Sequence, residues 1–138
     1  MINLKKIRIG VIYGGLSTEH EVSIKSGNAI IDNLDKEKYN INKIYIDKKG
    51  DFYDLDTGKI DNIFSYLKKL DVIFPALHGL YGEDGSIQGM LDILGIPYVG
   101  CNILSSSIGM DKVYSKILFE KAGLNISKYI YLKKRDNK

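Results

Sequence analysis

The stretch from Val72 to Leu94, VIFPALHGLYGEDGSIQGMLDIL, decides the fold because it changes from strand to glycine loop to helix in one run. The short apolar segment Val72–Phe74 is typical of a buried strand. Ile87 and Leu91 then recur at helical spacing, and Gly95 stands where a helix commonly ends. This order of elements predicts a strand–loop–helix unit of an open α/β sheet.

The loop inside this unit carries the polar residues of a candidate site. In open parallel sheets, ligands bind beyond the carboxyl ends of the strands, where His78, Glu83 and Asp84 stand. Three glycines within the loop, Gly79, Gly82 and Gly85, favour backbone that bends sharply or approaches a ligand closely. A turn with a solvated acidic pair and a strand-capping histidine explains the same residues, because such loops also occur without catalysis.

Composition narrows the class of protein. A chain of 138 residues with 44% hydrophobic and 27% charged residues is typical of one globular domain. The net charge is only +3 and the basic residues are scattered, which disfavours a nucleic-acid partner. The single cysteine, Cys101, fits a reducing compartment. No apolar run approaches the ~20 residues of a membrane span, and the amino terminus lacks a signal-peptide pattern. We expect a cytoplasmic protein with no membrane partner.

The amino-terminal segment predicts a second strand–loop–helix unit. The β-branched run Ile7–Tyr13 leads directly into the polar segment Gly14–Ser23. The glycine spacing differs from the G-x-G-x-x-G fingerprint, which disfavours a nicotinamide-dependent oxidoreductase.

The start of this helix singles out Glu19. Thr18 and Glu21 form a T-x-x-E capping box, which predicts a helix beginning near Thr18. Glu21 therefore has a structural task, whereas Glu19 has none and becomes the functional candidate. We expect His20 to be a surface or loop residue, because no second metal ligand stands one turn further along.

The remaining elements complete a three-layer α/β fold with helices on both faces of a mainly parallel sheet. A short helix is predicted over Ile63–Leu70, and residues 52–59 are either a hairpin or a long loop. Pro97 places the last predicted strand near an edge. The predicted strands are Ile7–Tyr13, Tyr39–Ile46, Val72–Ala76 and Pro97–Val99.

Lys112 is a second functional candidate. It follows a predicted serine and glycine loop, Ser105–Gly109, and begins a helix that ends before Gly123. A cation at a helix amino terminus is unfavourable, and a bound anion would remove the conflict. A solvated surface lysine is the alternative. Beyond this helix, Tyr129–Leu132 is strand-like.

Three segments together resemble the amino-terminal domain of D-alanine–D-alanine ligases, which are ATP-grasp enzymes. They are GGLSTEHEVS at Gly14–Ser23, PALHGLYGEDGSIQGMLDILGIPYVG at Pro75–Gly100 and SSSIGMDKVYSKILFEKAGL at Ser105–Leu124. The similarity extends over Ile7–Leu132. It implies a Rossmann-like pre-ATP-grasp substrate domain over residues 1–124 and the start of a truncated central ATP-grasp domain over 125–138.

The resemblance also assigns roles to individual residues. Glu19 matches the glutamate that pairs with the ammonium of the first D-alanine, and His78 matches the histidine near that substrate, so both are implied catalytic residues. Val22 corresponds to the residue lining the substrate's methyl pocket, and Lys112 to the lysine reaching the ATP phosphates. No metal ligand is assigned. The residues with an implied architectural role are Gly79, Glu83, Asp84, Gly85 and Gln88.

The implied activity is ATP-dependent carbon–nitrogen ligation that makes the D-Ala-D-Ala dipeptide for peptidoglycan, and hence for cell wall biogenesis and cell shape. In the family, ATP and Mg²⁺ convert the first D-alanine to an acyl phosphate that the second D-alanine attacks. A homodimer is also implied. Because the family's other domains hold most of the ATP and magnesium site, we expect this chain alone to be inactive. A D-Ala-D-lactate or D-Ala-D-serine ligase fragment and a non-catalytic binding module of the same fold remain alternatives.

Overall fold

A five-stranded mixed sheet forms the centre of the computed structural model, which describes residues 5–132. The central strand β1 pairs in parallel with β2 on one side and β5 on the other. The antiparallel strands β3 and β4 extend the sheet beyond β2, which resolves residues 52–59 as a hairpin. The strands are β1 Ile7–Gly14, β2 Tyr39–Ile46, β3 Phe52–Asp54, β4 Gly58–Lys59 and β5 Val72–Pro75.

Helices cover both faces of this sheet, which confirms the predicted three layers. Alternate residues of β1 point to opposite faces, so Ile12 joins one buried cluster while Val11 and Tyr13 join another. Ile31 of α1 packs in the cluster of Val11, whereas Leu91 of α3 packs with Ile12. The helices are α1 His20–Asn33, α2 Ile63–Leu67, α3 Ser86–Leu94, α4 Ile103–Met110 and α5 Lys112–Lys121.

The long central strand and α3 agree closely with the sequence prediction. Ile12 and Leu91 are fully buried, and burying a side chain of this kind contributes about 1.5–3 kcal/mol. The α3 helix ends at Leu94 with Gly95 in the left-handed conformation, as the stop signal predicted. The last helix ends just before Gly123 in the same way, because the N–H of Gly123 bonds back to the carbonyl of Glu120.

Three predicted segments differ from the structure. Pro97–Val99 is not a full strand and meets β5 only through a bridge between Ile73 and Tyr98. The predicted loop Ser105–Gly109 lies inside α4, whose first turn is capped by the side chain of Asn102. The predicted strand at Tyr129–Leu132 is irregular backbone, because no neighbouring strand among the described residues supplies hydrogen bonds. The proposed domain boundary after residue 124 stays a prediction, and residues 133–138 lie outside the described residues.

Candidate functional site

The carboxyl ends of β1 and β5 lie side by side, which brings the two polar loops together. Buried Ser23 joins these ends because its hydroxyl accepts from the N–H of Gly14 at 2.8 Å and donates to the carbonyl of Ala76 at 2.7 Å. Sequence analysis did not identify Ser23 as a bridge. The available signal was its position on the buried face of α1, one turn before Gly27.

Ser17, and not the predicted capping box, organises the start of α1. The helix begins at His20, and Glu19 at the N-cap position makes no side-chain capping bond. Instead, the Ser17 hydroxyl accepts from the N–H of Glu19 at 3.1 Å and donates to the carbonyl of His78 at 2.7 Å. Glu21 pairs with Lys48 at 3.1 Å on the surface, so the capping-box prediction is wrong. One serine therefore links the turn that carries Glu19 to the loop that carries His78.

The predicted surface position of His20 is also wrong, because its side chain is only 3% exposed. Its Nδ1 lies 2.5 Å from the carbonyl oxygen of Gly15, and its Nε2 lies 3.2 Å from the hydroxyl of Tyr45. The two rings also meet edge to face. Both ring nitrogens are satisfied inside the fold, so His20 stabilises the glycine turn. No sequence pattern identified this contact, since its partners are a backbone carbonyl and a residue of another strand.

Glu19 lies close to Gly79, the residue that follows His78. This glycine has a φ of 68°, and a Cβ built on it would lie 2.5 Å from Oε2 of Glu19. The N–H of Gly79 donates to Oε2 of Glu83 at 2.8 Å, which holds the peptide in place. The carboxylate of Glu19 therefore lies close to the backbone of Gly79. A side chain at position 79 would occupy space that the Glu19 carboxylate needs.

The half-buried imidazole of His78 has a protein partner near each nitrogen. Its Nε2 lies 2.8 Å from the Ser26 hydroxyl oxygen, and its Nδ1 lies 3.7 Å from Oε1 of Glu83. The second distance is too long for a hydrogen bond.

A cavity of about 550 Å³ opens beside His78, and Lys112 lies on its wall. Ser26, Glu83 and Gln88 line the same cavity. Its size is within the usual range of small-molecule sites, and it combines apolar walls with a few polar groups. The structure thus brings His78 and Lys112 to one cavity, whereas Glu19 lies near Gly79 and is not among the residues that line the cavity.

Val22 lies apart from this cavity. It is 51% exposed on α1 and is not among the cavity's lining residues. Its predicted contact with a substrate methyl group stays a prediction.

The loop between β5 and α3 is fixed by its acidic residue Asp84. Burial alone would raise the pKa of Asp84, but the N–H groups of Tyr81 and Ser86 each donate to its carboxylate at 2.9 Å and hold the pKa below its usual value. Its carbonyl accepts from the hydroxyl of Ser107 on α4 at 2.7 Å. Tyr81 has a φ of 66°, a strained conformation for a residue with a side chain. The carboxylate of Asp84 therefore stabilises the strained loop, and its backbone carbonyl joins the loop to α4.

Lys112 begins α5, as predicted, but its setting differs from the prediction. A helix rather than a loop precedes it, and Asp111 between the two helices caps α5 by accepting from the N–H groups of Val113 and Tyr114. This carboxylate partly offsets the unfavourable cation at the helix start. The Lys112 side chain is exposed and available to an anion in the cavity.

No group of three or more His, Cys, Asp or Glu side chains suited to a metal ion exists within residues 5–132. In the same range, none of the helices has the length and apolar character needed to cross a membrane.

The family model and the relatives that match this chain all name the same family of ligases. The family model described as "D-ala D-ala ligase N-terminus" matches residues 8–64 and 56–101. The D-alanine–D-alanine ligase of Finegoldia magna is 42% identical over 150 residues, which cover 94% of this chain and 43% of that protein. The Clostridium beijerinckii ligase is 46% identical over 131 residues, which cover 95% of this chain and 40% of that protein.

Solved structures agree with this grouping. The VanG D-Ala:D-Ser ligase of Enterococcus faecalis has a TM-score of 0.80 and 32% identity, with 90% of this chain and 44% of that chain covered. The ATP complex of the Bacillus anthracis D-alanine–D-alanine ligase has a TM-score of 0.78 and 42% identity, with 95% and 40% covered. The chain thus spans less than half the length of the relatives it matches.

Proposed function

The chain belongs to the D-alanine–D-alanine ligase family, and we propose that it forms the part of an ATP-dependent ligase that binds the first D-alanine. One observation carries the proposal: Oε2 of Glu19 lies close to Gly79, the residue after His78, and His78 and Lys112 line one cavity. Carboxylate, imidazole and ammonium groups at one sheet edge suit an amino acid meeting a polyphosphate.

Each group has a distinct task in this proposal. Glu19 pairs with the ammonium of D-alanine, and His78 orients its carboxylate by hydrogen bonding. Lys112 contacts the phosphates of ATP, whose chemistry is to activate the D-alanine carboxylate for attack by a second D-alanine. Positioning and charge stabilisation account for most of the catalysis in such reactions. Mg²⁺ belongs to the proposed activity, but the described residues offer it no cluster of ligands.

We extend the proposal to the whole protein to which this chain belongs. Its dipeptide product serves peptidoglycan synthesis, it is a cytoplasmic ATP-grasp enzyme, and it forms a homodimer. We expect the 138-residue chain alone to bind D-alanine weakly without making dipeptide. Incubation of the chain with ATP, Mg²⁺ and D-alanine tests this expectation, because detection of D-Ala-D-Ala would contradict it.

A D-Ala-D-serine ligase is a second candidate. It is favoured by the structural similarity to the VanG D-Ala:D-Ser ligase, whose TM-score is 0.80. Both activities use the same first substrate, so the proposed roles of Glu19 and His78 are the same in either case. Assaying the whole protein with D-serine against D-alanine as second substrate separates the two.

Calorimetric titration of the chain with D-alanine tests the binding proposal. Because Glu19 is exposed, its ion pair with the ligand ammonium contributes as a surface pair does, and Glu19→Ala should weaken binding about 1.5- to 5-fold. Glu21→Ala is the matched control, since Glu21 is exposed on the same helix but pairs with Lys48. Equal affinities for the wild type and Glu19→Ala, or no binding by the wild type, would refute the proposal.

A further inference from the structure

Ser26 makes a direct contact with the imidazole of the candidate site that its sequence position did not suggest. It lies in the second turn of α1, and its hydroxyl oxygen is 2.8 Å from Nε2 of His78. The two residues are 52 positions apart in sequence, and both line the large cavity. Ser26 is half-buried there, so water competes only partly for its hydroxyl.

The opposite side of the same ring faces a carboxylate that is itself held in place. Oε2 of Glu83 accepts from the N–H of Gly79 at 2.8 Å, which leaves Oε1 at 3.7 Å from Nδ1 of His78. An ionised carboxylate only accepts hydrogen bonds, so it favours the ring tautomer whose Nδ1 carries the proton. In that tautomer Nε2 is an acceptor, and the Ser26 hydroxyl is the donor that fits it.

We infer that Ser26 is a positioning residue that, together with Glu83, holds His78 in a single ring orientation as the Nδ1–H tautomer. The hydroxyl of Ser26 donates to Nε2, and Ser26 lines the same cavity as Lys112. Nε2 is thereby committed to Ser26, whereas Nδ1–H, at 3.7 Å from Oε1 of Glu83, makes no hydrogen bond to that carboxylate and can donate to the carboxylate of a ligand. His78 then contributes a fixed ring rather than a mobile proton carrier.

The fixed orientation of His78 also affects ligand binding, a consequence that rests on the proposed function. If D-alanine binds beside His78, a fixed ring reduces the side-chain entropy lost on binding. Loss of the Ser26 hydroxyl should therefore weaken D-alanine binding by about 2- to 10-fold, the range for one neutral hydrogen bond. The effect acts through His78, so Ser26 itself need not touch the reacting atoms.

Imidazole nitrogen NMR on the whole chain tests the inference without any ligand. The sequence has only 2 histidines, so both ring systems can be assigned. His20 is an internal reference, because its contacts to Gly15 and Tyr45 do not involve Ser26. We expect the wild type to show a protonated Nδ1 and an unprotonated Nε2 at His78.

Three variants complete the experiment. Ser26→Ala should give exchange-averaged tautomers at His78, Ser26→Thr should restore the wild-type pattern by keeping the hydroxyl, and Asn28→Ala, at an exposed position of α1, should change nothing. An Nε2–H tautomer in the wild type would overturn the inference. An unchanged His78 spectrum in Ser26→Ala would do so as well.

D-alanine titration of the same samples separates this inference from the proposed function. Weaker binding by Ser26→Ala, with recovery in Ser26→Thr, supports both. If the wild type binds no D-alanine, the proposed function fails while the tautomer spectra still decide the role of Ser26. Wild-type affinity in Ser26→Ala, despite averaged tautomers, would overturn the ligand consequence.

Discussion

Replacing Gly79 with alanine should separate backbone strain from interference with the candidate site. At a φ of 68°, an alanine costs about 1–2 kcal/mol relative to glycine. The added Cβ would also lie 2.5 Å from Oε2 of Glu19, closer than such atoms approach. Because Glu19 is exposed and flexible, its side chain rotates away rather than unfolding the loop. We therefore expect Gly79→Ala to lower the free energy of unfolding through backbone strain and to displace the Glu19 carboxylate.

Gly95 provides a closely matched control. Its φ is 66°, and a Cβ built there has no neighbour within 4 Å. Gly95→Ala should therefore lose the same ~1–2 kcal/mol of unfolding free energy through backbone strain alone. Urea unfolding measures the loss of stability in both variants. Titration with D-alanine measures their affinity for the ligand.

The two variants should differ in ligand binding and not in stability. Gly79→Ala displaces the Glu19 carboxylate and should weaken D-alanine binding about 1.5- to 5-fold, the contribution of an exposed ion pair. Gly95→Ala should bind as the wild type does. Adding Gly79→Ala to a Glu19→Ala background should cause no further loss of affinity. Wild-type affinity in Gly79→Ala, or equal affinity losses in both glycine variants, would refute the reasoning.

Three further predictions concern stability and are measured by chemical unfolding. Gly27→Ala should destabilise the fold by about 1–3 kcal/mol, because its Cβ would lie 2.5 Å from the buried ring of Tyr13. This loss should exceed the gain from the better helix propensity of alanine, and a stabilised variant would contradict the packing. Ser23→Ala leaves the N–H and carbonyl that Ser23 bridges without partners and should cost about 1–3 kcal/mol; an unchanged midpoint would argue against the bridge. Hydrogen bonds from the Arg8 side chain and backbone lower the pKa of Asp71, so this carboxylate stabilises the fold above its unfolded pKa of about 4 and less as pH falls further. Asp71→Asn should therefore be less stable at neutral pH and converge with the wild type in acid, and a constant difference across pH would exclude this origin.

The sequence predicted the elements whose residues are determined by local patterns. The β-branched run of β1 reflects burial on both faces of the sheet, and the helical spacing of Ile87 and Leu91 reflects burial on one face of a helix, which a sequence shows directly. Gly95 and Gly123 ended helices where the stop signal placed them. Local sequence patterns were therefore sufficient to predict the parallel centre of the sheet and α3.

The missed features depend on contacts between residues far apart in sequence. His20 lies between two glutamates, yet it is buried because Gly15 and Tyr45 satisfy both of its nitrogens. The capping box failed because the Ser17 hydroxyl bonds the N–H of Glu19 and, across the fold, His78. Tertiary partners decided these cases, and no local motif encodes them.

The candidate site was predicted in part. Glu19, His78 and Lys112 were expected to converge, and the structure has Oε2 of Glu19 close to Gly79, the residue after His78, but outside the cavity lining. Lys112 reaches the same cavity as His78. Their roles stay predictions, as does that of Val22, which lies exposed and outside the cavity lining. The hydroxyl of Ser26 could not be anticipated, because its partner stands 52 residues away.

An NMR titration of the isotopically labelled chain with D-alanine tests the central claim most directly, with L-alanine as the control ligand. We expect the largest shift changes at the Glu19 carboxylate, the Gly79 amide and the His78 ring, with a smaller change at Lys112 across the cavity. L-alanine should cause weaker changes at the same positions. Changes confined to another surface, or none at saturating D-alanine, would contradict a binding site at the edge where β1 and β5 end.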